Sequence, residues 1–110
     1  MKIVGVPFTV TDWGGVPAVE HKGESGTSHG RTVEAGNVRA RIVEYSPGYR
    51  ADHWCARGHV LWVIEGDLTV ELKDGGQYEM KKGMSFQAAD DDQNPHLAWT
   101  AAGATVFIVD

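Results

Sequence analysis

The sequence predicts an all-β domain, a sandwich or barrel of short strands, and three observations predict it. Turn signals recur at short intervals: Ser46-Pro47-Gly48, Glu65-Gly66-Asp67 and Asp74-Gly75-Gly76. Between them the apolar residues follow a two-residue period, as where Leu68, Val70 and Leu72 alternate with Thr69, Glu71 and Lys73. Nowhere does an apolar stripe of 3.6-residue period run across three helical turns. The 14 glycines, about twice the usual share, suit a fold dominated by tight turns.

Along the chain, residues 1–30 read as an N-terminal arm and loop, with a mobile loop at 22–30 near the mouth of a cavity. The barrel occupies 31–110, and 1–110 form a single domain. Its strands are expected at 38–45, 49–55, 59–64, 68–73, 77–80, 85–89, 96–100 and 105–109. The 59–64 run, His-Val-Leu-Trp-Val-Ile, is apolar on both faces and suits a strand covered on both sides.

Composition narrows the function classes. A chain of 110 residues supports one hydrophobic core. A formal charge of −5, with Lys and Arg scattered, argues against nucleic acid as a partner. No apolar run approaches the roughly 18 residues of a membrane-spanning helix. The first residues lack the apolar core and small-residue cleavage site of a signal peptide, so a cytoplasmic location is expected. A lone cysteine forms no intrachain disulfide, which leaves Cys55 as a buried small hydrophobe, a reactive thiol or a metal ligand.

The candidate chemistry sits in residues 47–66. Imidazole and thiolate are the side chains that bind zinc, nickel, iron or copper most readily. In an extended chain residues two apart share a face, so His53 and Cys55 can aim at one point. After the turn at Arg57-Gly58, His59 opens the next strand, and His96 stands in a comparable place before the last one. Each histidine taken alone is more simply a hydrogen-bonded residue; their clustering with a cysteine favours a metal site. Asp52 has the opposite parity to His53 and should face away. His21 and His29 read as surface residues within reach of the barrel mouth. Tyr49, Arg57 and Gln87 are candidate polar contacts to a ligand, and Asp90-Asp91-Asp92 reads as a solvated turn. Of the tryptophans, Trp62 has the parity opposite to His59 and suits a face covered by a second subunit.

Gly48, His53-x-Cys55, three residues, His59, six residues and Gly66 resemble the first cupin motif: glycine, His-x-His, three or four residues, glutamate, six residues, glycine. Cys55 stands at the second histidine and His59 at the glutamate, and both replacements are themselves metal ligands. The second motif is matched in part, by Gly83 and His96, with Thr100 in place of its closing asparagine. Asp52-His53-Trp54-Cys55 also resembles the signature of a small bacterial group, the DHCW-motif cupins. The resemblance implies a double-stranded β-helix (a jelly-roll barrel), a bound divalent transition metal (zinc, nickel or iron) and a homodimer. The expected ligands are His53, Cys55, His59 and His96. The expected function is a small metalloenzyme acting on a small polar metabolite, with a non-catalytic ligand-binding or sensor module carrying a structural metal site as the alternative. One fold hosts many functions, so no reaction follows from it.

Overall fold

The computed structural model describes residues 2–110, and among them all regular structure is β apart from one 3-10 turn, Trp13–Gly15. Eight strands follow: β1 (Val19–Lys22), β2 (Thr27–Ala35), β3 (Val38–Tyr45), β4 (His59–Leu72), β5 (Gln77–Lys81), β6 (Ser85–Ala88), β7 (His96–Trp99) and β8 (Ala104–Val109). All pairings are antiparallel. β1, β2, β3, β8, the first half of β4 and β6 make one sheet; the second half of β4, flanked by β5 and β7, makes the other. This is the jelly-roll arrangement that the cupin resemblance implies. Among the described residues, no helix is long and apolar enough to cross a membrane.

Three elements differ from the sequence reading. The expected pair 59–64 and 68–73 is one 14-residue strand, β4, whose register shifts between Val63 and Glu65. That bulge exchanges the buried parity, from Leu61 and Val63 to Leu68 and Val70, so a single strand serves both sheets. Gly66 makes the bend feasible. Its φ is +78°, and a Cβ there would lie 2.2 Å from the Gly103 carbonyl oxygen. Residues 49–55 form no continuous strand and hold position through isolated bridges at Arg50 and Cys55. In place of a mobile loop at 22–30, Val19–Lys22 pairs with 27–30 as a hairpin, so β2 begins at Thr27.

The core lies between the sheets. Val43, Leu61, Val63, Leu68, Val70, Met80, Val106 and Ile108 are buried together, with Phe86 and Tyr45 packed against them. β8 keeps strict two-residue alternation, and β3 pairs with it residue for residue. The inward residues of β3 are Arg39, Arg41, Val43 and Tyr45; those of β8 are Ala104, Val106 and Ile108, and Asp110 continues their parity. One end of the barrel is thus apolar, and the other receives two arginines and an aspartate.

Candidate metal centre

Cys55 and His96 face one another across a two-residue bridge. The Cys55 N–H donates to the His96 carbonyl at 2.7 Å, and the His96 N–H returns the bond at 2.9 Å. Such a mutual pair places both side chains on the same face, with their backbones fixed by hydrogen bonds. His59 enters from the start of β4, where the turn before it is held tightly. The Gly58 N–H donates to Asp90 Oδ1 at 2.6 Å, and a Cβ on Gly58 would lie 2.5 Å from the Ala88 carbonyl oxygen. Asp90, within the expected solvated turn, therefore pins the residue before His59.

The three side chains converge: Cys55 Sγ and one ring nitrogen each of His59 and His96 lie within 4.8 Å of one another. The two Nε2 atoms are 3.1 Å apart, with the rings edge to face at 4.8 Å. Two imidazoles bound to one ion at about 2.0–2.1 Å each would stand roughly 3 Å apart, so the donors are spaced as ligands of a single ion. Phe86 packs on both rings at 5.4 and 5.5 Å and closes the inner side. Burial lowers the pKa of His59 to about 4, with the neighbouring His96 and Arg41 adding to the shift, and burial lowers that of His96. Both rings are therefore neutral near pH 7, the form that binds metal.

His59 Nδ1 is buried without a hydrogen-bond partner and lies 4.0 Å from Asp110 Oδ2. The Asp110 side chain, only 2% exposed, receives Arg39 in a two-pronged contact at 2.9 and 2.7 Å. Arg57 approaches the same carboxylate at 3.2 Å and Arg41 at 3.6 Å. The Arg39 hydrogen bond, opposed by burial and helped by the Arg41 charge, holds the Asp110 carboxyl below its usual range. At 4.0 Å the carboxylate makes no hydrogen bond to the ring and acts on His59 only through its charge.

Not every expected ligand joins the cluster. His53 is largely exposed, with Nδ1 2.7 Å from Asp52 Oδ1, and it stands outside the three-residue group. It still lines the same cavity of about 160 Å3 into which Cys55, His59 and His96 project. The cause is the missing strand at 49–55: without a regular two-residue period, His53 and Cys55 do not share a direction. Arg57 contacts Asp110, and Gln87, on β6, lines cavities beside His59 and His96 other than the one the three donors share. His29 pairs with Glu20 at 3.3 Å on the surface, whereas His21 lines a second, larger cavity. Arg39, Arg41 and Asp110 were not among the candidates. Their signal is present in the sequence as charged residues at the inward parity of two otherwise apolar strands.

No protein-family model and no curated protein sequence matches the chain. Among solved structures it is similar to an RmlC-like cupin from Shewanella frigidimarina, at 16% identity and a TM-score of 0.74 over 94% of this chain and 89% of that one. It is similar to the polyketide cyclase RemF from Streptomyces resistomycificus, at 18% identity and a TM-score of 0.77 over 94% and 78%. It is also similar to Fe(II)-HppE, at 14% identity and 0.73 over 94% and 60%. At such identities the likeness establishes the cupin fold and carries no activity with it.

Proposed function

We propose that this small cupin-fold protein binds one divalent transition metal (zinc, nickel or iron) through Cys55 Sγ, His59 Nε2 and His96 Nε2, and acts as a metalloenzyme on a small polar metabolite. The observation that carries the reading is the convergence of one thiol and two neutral imidazoles within 4.8 Å. They meet in a cavity whose wall also holds Arg41, Tyr45 and Tyr49. Iron in Fe(II)-HppE, a protein of the same fold, supports a divalent metal as cofactor here.

When bound, the metal would supply a Lewis acid that polarises an oxygen of the substrate. The chain's own residues do the rest. The bridge between Cys55 and His96 fixes two donors, the Asp110 carboxylate stands behind the His59 ring, and Phe86 packs against both imidazoles. Three protein donors leave coordination positions for a substrate. A non-catalytic binding module is the second reading, favoured by one observation: His53 stands in the wall of the same cavity and is a candidate fourth ligand that would close the site.

Titration with cobalt(II), followed by absorption spectroscopy, tests the proposal. One equivalent should produce a thiolate-to-cobalt band that Cys55→Ser abolishes, and azide should shift the spectrum by taking an open position. A spectrum indifferent to azide favours the binding module. No cobalt uptake refutes both readings.

A further inference from the structure

Beside the metal centre lies a cavity of about 480 Å3, which shares Arg41, Tyr45, Tyr49 and His53 with the smaller one. The sequence makes this space. Ser28 and Gly30 of β2 stand opposite the inward residues Tyr45 and Val43 of β3, and Thr32 opposite Arg41. Small side chains on β2 therefore leave unfilled the volume that core residues would take elsewhere in the barrel. The size is that of a pocket for a small metabolite.

Arg41 stands where this cavity meets the smaller one, and Lys22 lines its wall as well. The Arg41 Nε–H is buried and has no hydrogen-bond partner. The nearest carboxylate, Asp110, stands 3.6 Å from Nη2 and is already engaged by both prongs of Arg39. Arg39, Arg41 and Arg57 thus share a single carboxylate, an excess of positive charge inside a chain whose net charge is −5. The carboxylate in the wall of the larger cavity, Asp52, is engaged by His53 at 2.7 Å. A partly buried cation with an unused donor is costly unless something pairs with it. A guanidinium fork fits a planar carboxylate through two parallel hydrogen bonds.

We infer that the cavity between β1, β2 and β3 binds a small organic carboxylate, with Arg41 as the group that anchors its carboxyl end. The hydroxyls of Ser28, Thr32, Tyr45 and Tyr49 lie around the same space and suit a polyhydroxylated or keto-bearing body. Because Arg41 also lines the smaller cavity, the anchored carboxyl end is the one that lies beside Cys55, His59 and His96. The inference deepens the proposed function by naming the substrate class; its placement of the reacting end rests on that reading, but the Arg41 contact does not require the metal.

The test uses carbon-13-labelled acetate as the probe, with its relaxation measured against metal-free and zinc-loaded protein. Sodium chloride holds ionic strength constant, and neutral acetamide serves as the isosteric control. Acetate should bind saturably to both forms, acetamide should not, and Arg41→Met should weaken acetate by about tenfold or more. Removing one of three crowded cations relieves repulsion with Arg39, so this variant should fold; the acetamide comparison in the unaltered protein stands apart from that. Equal binding of acetate and acetamide, retention of acetate by Arg41→Met, or preference for inorganic phosphate would overturn the inference. Acetate binding through Arg41 without zinc uptake would sink the metal reading and leave this one standing; zinc uptake without acetate binding would do the reverse.

Discussion

Replacing Asp110 by Asn should destabilise the protein more than a loss at the last inward position of a strand would suggest. The side chain is 2% exposed and stands among Arg39, Arg41 and Arg57. The amide keeps the shape and leaves the backbone pairing with Arg39 intact, but removes the one carboxylate that, among the described residues, forms ion pairs with those three cations. Deleting one partner of a buried ion pair costs about 3–5 kcal/mol. Arg39 and Arg41 retain 28% and 24% of their side-chain exposure, so water compensates in part and about 3 kcal/mol is expected. That is a large fraction of the roughly 5–15 kcal/mol that holds a domain folded. Urea unfolding at pH 7 measures it through the midpoint at constant slope. Adding Arg39→Met to Asp110→Asn should recover part of the loss, because one uncompensated cation is removed. A cost below about 0.5 kcal/mol, the usual range for surface changes, would refute the reasoning.

Other predictions follow from neighbouring groups. With a folded pKa of about 4 against an unfolded value near 6.5, His59 stays neutral while the unfolded chain takes up its proton. Metal-free protein should therefore lose about 3 kcal/mol between pH 6.5 and 4, with no contribution above that window. Urea unfolding at pH 7 and pH 4, with and without His59→Leu, checks it; an unchanged pH slope in the variant would remove His59 as the cause. Gly66→Ala forces φ +78° on an L-residue and sets a Cβ 2.2 Å from the Gly103 carbonyl, so a loss of at least about 2 kcal/mol is expected in the same assay. Val60 and Trp62, 40% and 46% exposed on the outward face of β4, are the proposed contact face of a homodimer. Sedimentation velocity should show a dimer that Trp62→Ser weakens, and a monomer at all concentrations would contradict it.

Much of this architecture was legible in the sequence for physical reasons. Strands with one buried face announce themselves by alternation, and the turns at Pro47-Gly48 and Gly75-Gly76 by residues that the backbone requires there. The spacing from His59 to Gly66 carried the start of β4 and its bend. What stayed hidden depends on contacts distant in sequence. The continuity of β4 through Gly66 is decided by where β8 shifts register, and the tethering of 49–55 by two isolated bridges. Without that second fact His53 and Cys55 look equivalent, whereas only Cys55 is locked opposite His96. Arg39, Arg41 and Asp110 were readable by parity, but an inward arginine has meaning only once its carboxylate, 71 residues away, is in place.

The most direct test of the central claim is the metal content of untagged protein never exposed to chelators, measured by plasma mass spectrometry beside His53→Ala, His59→Ala and His96→Ala. The account predicts close to one equivalent of a single transition metal per chain, with His59→Ala and His96→Ala losing nearly all of it and His53→Ala losing little. A chain that holds no metal even after incubation with zinc, nickel and iron under reducing conditions, or one whose metal survives His96→Ala, would contradict it.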